Sequence, residues 1–400
     1  MEPSLLRPLI AGMVTAIVGF AGTFTVVLAG LRAVGADSRQ AASGLLTVCV
    51  AAGVVTVLLS VRHRLPVTMA WSTPGAALLL STGPVDGGYP AAVGAFLACG
   101  LAMMAVGLFP ALGRLIALIP RSIASAMLAG ILLKLCLAPV SAVAQVPWMA
   151  LPVIAIWAVL YRYARLWSVP GALAAAVLAV LWTTPSLSVS PAPAVVLTWP
   201  AFTGSALVSI ALPLFLVTMA SQNVPGLAVL SGYGYRPPFT QILLATGAGS
   251  ATGALLGGHA VNLAAITAAL TAGPDADPDP ARRWIASTTS GLTMIALGLG
   301  AGLATALVLL APPVLIEAVA GLALFGALAS SIAASFGDKA ESAAITFVVT
   351  ASGVSFFGIG SAFWGLLAGV AFHLLTRRHQ AGLSAPASSP GETERSGRRI

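Results

Sequence analysis

PVTMAWSTPGAALLLSTGP at Pro66–Pro84 and GGHAVNLAAITAALTAGP at Gly257–Pro274 are two versions of one device, about 190 residues apart. Each opens with a polar, Gly- or Pro-marked run, continues as a short apolar helix and ends in Ser/Thr-x-Gly-Pro. Such an opening cannot sit in lipid as a regular helix. Broken backbone at mid-membrane depth is tolerated only where it is buried in protein or lines water. A half-helix that starts there leaves its first amide N–H groups free and its positive dipole end facing a cavity. A matched pair of short, interrupted apolar segments in the two halves of a chain points to the substrate site of a secondary transporter.

The rest of the chain fits that reading. Its 400 residues are 58% hydrophobic and 8% charged, with a mean hydropathy of +0.99. A soluble domain carries about 25% charge, so this is a polytopic membrane protein. The first apolar run, about Leu9 to Leu31, is too long for a signal-peptide core and has no clear cleavage site, so it reads as the first span. The net charge of +8 does not indicate a nucleic-acid partner, because the basic residues sit at helix ends. Cys49, Cys99 and Cys136 lie in apolar runs at wide spacing, which supports neither a disulfide frame nor a metal site and reads as small buried hydrophobes.

Apolar runs fall at roughly 8–31, 41–61, 89–109, 115–138, 148–163, 168–184, 204–225, 238–257, 284–310, 312–335, 341–357 and 358–376. With the short elements at 72–82 and 262–272 the count is fourteen. The expected fold class is an all-α polytopic membrane protein, fourteen segments in a 7+7 inverted repeat, joined by the Pro/Ser-rich stretch Thr184–Pro200. Residues 1–184 form the first repeat and 200–378 the second, and 379–400 form a disordered cytoplasmic tail rich in Ser, Pro and charge. With the N-terminus in the cytoplasm, thirteen basic residues fall inside (Arg7, Arg62, Arg64, Arg114, Arg121, Arg162, Arg165, Arg236, Arg282, Arg283, Lys339, Arg377, Arg378) and three outside (Arg32, Arg39, Lys134). That bias supports both the orientation and the count. Both termini are therefore expected in the cytoplasm. The acidic loop Pro274–Pro280 reads as a solvated turn, since it lacks the Gly and terminal Glu of a calcium loop.

Few residues can carry chemistry. Of the acidic residues Glu317 alone lies inside a span, where an ionisable group is a functional hypothesis by default. The bland alternative is a side chain that snorkels to the outer interface. His259 lies in the second broken element after two glycines, and its ordinary pKa near 6.5 suits proton exchange. Asn262 and Thr73, the latter followed by Pro74, are expected to cap the two half-helices. The run Thr218–Gly226, TMASQNVPG, places Ser221, Gln222 and Asn223 side by side before Pro-Gly, and is expected at mid-depth because apolar sequence resumes beyond it. Trp71 offers a flat apolar face for an aromatic ligand, and Phe20 of the first span is grouped with it.

TMAWSTPG at 68–75, TMASQNVPG at 218–226, GGHAVNLAAITAAL at 257–270 and ASGVSFFGIGSAFWGLLAG at 351–369 resemble the benzoate:proton symporter family (BenE), over roughly 8–378. That family is similar to the nucleobase–ascorbate and sulfate transporters. The resemblance implies short strands ahead of the half-helices at positions 3 and 10. It also implies a core domain at about 8–109 plus 204–310 and a gate domain at about 113–184 plus 312–376. The substrate-stacking aromatic of the nucleobase relatives falls on Trp71, and their two site acids fall on Ser221 and His259. Loss of both acids suits an anionic cargo, held by donors instead of carboxylates. The expectation is import of benzoate or a similar small aromatic carboxylate with a proton across the bacterial inner membrane. The substrate set is Trp71, Ser72, Thr73, Ser221, Gln222, Asn223, His259, Asn262 and Phe20. The proton is carried by His259 or Glu317, or rides with the substrate. The alternative is a nucleobase, sulfate or other small anion in the same fold. No cofactor is called for, and the absence of a metal-ligand cluster or nucleophile–base pair argues against an enzyme. A homodimer is expected from the relatives only.

Overall fold

The computed structural model describes residues 5–109, 111–112, 120–183, 194–265, 267–335 and 340–383. The chain is built of helices, with two short strands at its centre. Six helices are long and apolar enough to cross a membrane: Leu6–Ala33 (α1), Ser38–His63 (α2), Gly88–Leu108 (α4), the run Arg121–Gln145, Gly204–Gly232 (α9) and Pro313–Ser335 (α14). Within Arg121–Gln145 the chain breaks into Arg121–Cys136 (α5) and Ala138–Gln145 (α6). The remaining helices are Thr73–Thr82 (α3), Pro147–Tyr163 (α7), Ser168–Thr183 (α8), Phe239–Ala254 (α10), Ala268–Ala272 (α11), Trp284–Leu299 (α12), Ala301–Leu310 (α13), Ala340–Ala351 (α15) and Ser361–Leu383 (α16).

Two groups of helices are evident in the packing. Helix α10 lies on α4, α12 lies on α1 and α2, and α1 lies on α3. In the other group α14 lies on α5, α15 on α5 and α16, and α8 on α7. Small residues allow the closest approaches. A Cβ on Gly30 of α1 would collide with Ala76 O of α3, and one on Gly226 of α9 would reach Ala264 O at 2.8 Å. Glycine at such positions lets backbones pack directly, which is how helices associate in lipid.

Strands β1 (Met69–Trp71) and β2 (Val261–Leu263) pair antiparallel, with Met69 opposite Leu263, Ala70 opposite Asn262 and Trp71 opposite Val261. Two such strands leave outer edges whose buried N–H and C=O groups need partners. Hydroxyls and an amide on the flanking helices supply them. Met69 N donates to Thr56 Oγ1 (2.9 Å), Val67 O accepts from Ser60 Oγ (2.9 Å), Val261 N donates to Ser250 Oγ (2.8 Å) and Leu263 N donates to Asn223 Oδ1 (2.8 Å).

Helix α9 is irregular in two places. Leu207–Ala211 and Met219–Asn223 are π-helical, and each ends two residues before a proline, Pro213 or Pro225. Proline has no N–H to give to the residue four back and its ring crowds that carbonyl, so the wider turn relieves both conflicts.

Several expectations need correction. The cap of α3 is Ser72, whose Oγ accepts from Gly75 N; Thr73 is the first helical residue. Asn262 is a strand residue and caps nothing, and α11 begins only at Ala268 behind Thr267, which makes no side-chain capping bond. The second half-helix is thus five residues long. The expected span 284–310 breaks at Gly300, and the span expected to end at 225 continues to Gly232. The acidic loop is not wholly solvated: Asp277 is buried, accepts from Asp279 N at 2.8 Å and faces Arg282 at 3.8 Å. The expected tail begins too early, since α16 runs to Leu383. The rest of the tail, most of the 184–200 joint, and Arg114 and Lys339 lie outside the described residues.

Candidate functional site

Four parts of the chain converge on the strand crossing, and hydrogen bonds fix how they meet. From α1, Thr23 Oγ1 accepts from Trp71 Nε1 at 3.0 Å. Phe20, one turn earlier, packs edge-on against the Trp71 ring at 6.0 Å between centroids and 75° between planes. From α9, Thr218 Oγ1 donates to Ser72 Oγ at 2.8 Å. One turn on, Asn223 holds Leu263 N. From β2, the Asn262 amide is oriented with its oxygen toward Ser72 N (3.1 Å) and its nitrogen toward Leu263 O (3.2 Å), the orientation that satisfies its neighbours. The broken elements and the π-helical turn of α9 are therefore one bonded unit.

Burial sorts the expected site residues into two sets. Phe20, Thr73, Ser221 and Gln222 are half-buried, and of these Phe20 borders the apolar cavity described below. Trp71, Ser72, Asn223, His259 and Asn262 are buried. Trp71 is 3% exposed, so the more accessible ring of the pair is that of Phe20. Ser221 Oγ donates to Val217 O at 2.6 Å, and Asn223 Nδ2 contacts Met219 Sδ at 3.3 Å.

His259 is fully buried. It precedes β2, and its ring lies edge-on to Phe96 of α4 at 6.4 Å. Nε2 is 3.0 Å from Ser72 O. A carbonyl oxygen only accepts, so Nε2 carries the hydrogen and Nδ1 is the bare nitrogen. Nδ1 has no partner among the described residues. Glu317 is exposed on α14, while its neighbours Leu315, Ile316 and Ala318 are buried, so it points away from the helix face that packs. The structure does not bring it together with the strand crossing.

The helix N-termini offer less than the sequence suggests. In α3, Pro74 has no N–H, Gly75 N donates to Ser72 Oγ (3.1 Å) and Ala76 N donates to Ser72 O (2.8 Å). Only the Thr73 N–H of that turn remains for a ligand. At the far end of α11, Arg283 is buried and donates to Ala272 O (2.9 Å), Asp277 O (2.7 Å) and Pro278 O (3.5 Å). A cation at a helix C-terminus is favourably placed against the dipole.

Beside this unit lies an apolar cavity of about 360 Å³, lined by Phe20 and Phe24 of α1, Leu173 and Val177 of α8, Leu297 of α12 and Ile316 of α14, among others. Phe20 stacks on Phe24 at 5.1 Å and so borders both the cavity and Trp71. The cavity is of the size of small-molecule sites. Reasoning from the sequence missed it, along with Thr23 and Thr218. Pro213 and Pro225 were the available signal for the two π-helical turns of α9, the second of which carries Ser221 and Gln222.

The comparisons with known proteins agree with this architecture. The family described as benzoate membrane transport protein (BenE) matches residues 3–375. The chain is 34% identical over 366 residues to the inner membrane protein YdcO of Escherichia coli strain K12, covering 90% of this chain and 93% of that protein. It is 30% identical over 383 residues to the benzoate membrane transport protein of Acinetobacter baylyi, covering 94% and 96%. Among solved structures, the transmembrane domain of the cyanobacterial bicarbonate transporter BicA superposes with a TM-score of 0.56 at 15% identity, covering 92% of this chain and 99% of that one. SLC26A9 superposes with a TM-score of 0.60 at 14% identity, covering 93% and 65%. At these identities the structural likeness concerns the fold.

Proposed function

Because this chain belongs to the benzoate membrane transport protein family, we propose that it is a secondary active transporter importing benzoate or a similar small aromatic carboxylate together with a proton. The observation that carries the reading is the antiparallel crossing of β1 and β2 ahead of two short helices, tied to the π-helical turn of α9. Such interrupted pairs hold cargo near the bilayer midplane, and access alternates as one bundle moves against the other.

In this reading the fourteen segments form a 7+7 inverted repeat with both termini in the cytoplasm of a bacterial cell, in the inner membrane. The core takes in α1–α4 and α9–α13, and the gate takes in α5–α8 and α14–α16. The aromatic ring of the cargo lies against Phe20, with Trp71 behind it. Its carboxyl group meets Thr73, Ser221 and Gln222. Ser72, Asn223, Asn262 and His259 hold those residues in place. The two helix groups touch across α1 and α14 and across α3 and α5, where sliding would open one side and close the other.

The test is uptake of labelled benzoate into proteoliposomes, with and without an inward proton gradient, corrected for protein-free vesicles. Saturable, gradient-stimulated uptake is expected. Uptake that does not respond to the gradient would remove the proton from the reading. A second cargo deserves the same assay, because the solved neighbours include a bicarbonate transporter and an anion transporter. Competition by sulfate or bicarbonate, without competition by benzoate, would make this a carrier of small inorganic anions.

A further inference from the structure

Charge is kept away from the candidate site. Every charged side chain whose burial is described is exposed, except Asp277, Arg282 and Arg283 of the loop behind α11. The polar groups at the site are neutral, and most of their hydrogens are already engaged. Ser221 Oγ donates to Val217 O. Trp71 Nε1 donates to Thr23 Oγ1, and Thr23 in turn donates to Gly19 O at 3.0 Å. The Asn262 amide nitrogen donates to Leu263 O, and His259 Nε2 donates to Ser72 O. The half-buried set offers the lone pairs of Ser221 Oγ, together with the Thr73 hydroxyl and the Gln222 amide, which both donate and accept, and the Thr73 N–H, which donates.

An ionised carboxylate only accepts, at about four lone-pair positions, and asks for a donor at each. A protonated carboxyl group asks for one acceptor and one donor. With its hydrogen on Val217 O, Ser221 Oγ is left as an acceptor, which a protonated carboxyl group can use and an anion cannot.

We infer that the cargo is held as the neutral acid, with the coupled proton on the substrate's own carboxyl oxygen. This rests on the aromatic-carboxylate reading above. The anion takes a proton from water on the outer side, crosses as the acid and releases the proton to water on the inner side. No side chain changes its protonation. Glu317 points away from the packed face of its helix. His259 is sealed by Ser72, by Phe96 of α4, and by Thr47 and Val48 of α2, which lie against its neighbour Gly258. Among the described residues, titratable groups toward that surround include Tyr89 of α4, whose hydroxyl lies beside Gly257, and beyond it the exposed Asp37 ahead of α2. A second proton on His259 would place a cation in the interior with no counter-charge there. The role left to His259 is to position Ser72, and through it the start of α3.

Binding to the purified full chain between pH 4 and 8, by calorimetry, separates the alternatives. The probes are benzoate, ring-substituted benzoates of different acidity, benzamide as a neutral isostere, and benzenesulfonate as an obligate anion. For each acid the measured Kd should rise about tenfold per pH unit above that acid's own pKa. The break should therefore move from acid to acid and persist in His259→Gln. Benzamide should compete at a constant Kd across the range, and benzenesulfonate should not compete. A single break shared by all the acids, or one abolished by His259→Gln or Glu317→Gln, overturns the inference while leaving the cargo intact. So does benzenesulfonate competing better than benzamide. If none of the benzoates binds or is taken up, the cargo reading fails and the inference falls with it.

Discussion

The two broken elements begin alike and are secured differently. In the first, strand runs into helix with one residue between them, Ser72, which caps α3 and is itself bonded to Thr218 and His259. In the second, four residues separate β2 from α11, and the residue ahead of the helix makes no side-chain cap. Support comes instead from outside: Asn223 holds the strand, and Arg283 holds the far end of the helix. A ten-residue helix tolerates being held at its start. A helix of five residues closes scarcely a turn of its own hydrogen bonds and depends on partners. The same geometry is thus reached once by local capping and once by tertiary bonds.

The largest effect should come from Arg283→Gln. It removes a buried guanidinium from three carbonyls around the α11 terminus. Hydrogen bonds from charged donors contribute about 1.5–3 kcal/mol, so a loss near 3 kcal/mol is expected. A thermal unfolding midpoint in detergent equal to that of the parent would show that the second element stands without this support. Next comes Asn223→Leu, which keeps the side-chain volume but strands the Leu263 N–H in the interior. An unsatisfied buried donor costs about 1–3 kcal/mol. The same variant should reduce benzoate uptake more than a surface substitution of equal stability cost, because Asn223 ties β2 to the π-helical turn that carries Ser221 and Gln222. Equal losses in the two would reduce Asn223 to a stability role.

Much of this was legible in the chain. The two Gly/Pro-marked interruptions at 66–84 and 257–274 mark the places where helix cannot continue, and local chemistry alone decides that. Other features were fixed by contacts that pattern does not reveal. Ser72 and Thr73 are adjacent hydroxyl residues of similar capping ability, and Ser72 takes the role where Thr218 and His259 converge on it. Asn223 looks like a ligand because it sits in a polar run, yet its amide serves the edge of a strand some 40 residues away. His259 looks poised because of its glycine neighbours, while its ring is fully buried and lies edge-on to Phe96. In each case the residue type announced a hydrogen bond, and the fold chose the partner.

The comparison is sharpest between two alanine substitutions. Ser72→Ala removes the acceptor for Gly75 N and for Thr218 Oγ1, and loss of an N-cap costs about 1 kcal/mol. Thr267→Ala, at the equivalent place before α11, removes no capping bond, because Thr267 has helical dihedrals (φ −73°, ψ −18°) from which its hydroxyl does not reach the first-turn amides. Surface-like changes of this kind fall within about 0.5 kcal/mol. Ser72→Ala should therefore lower the unfolding midpoint measurably and Thr267→Ala should leave it in place. If Thr267→Ala proved as costly as Ser72→Ala, the second element would carry its own cap after all, and the contrast between local and tertiary support would collapse.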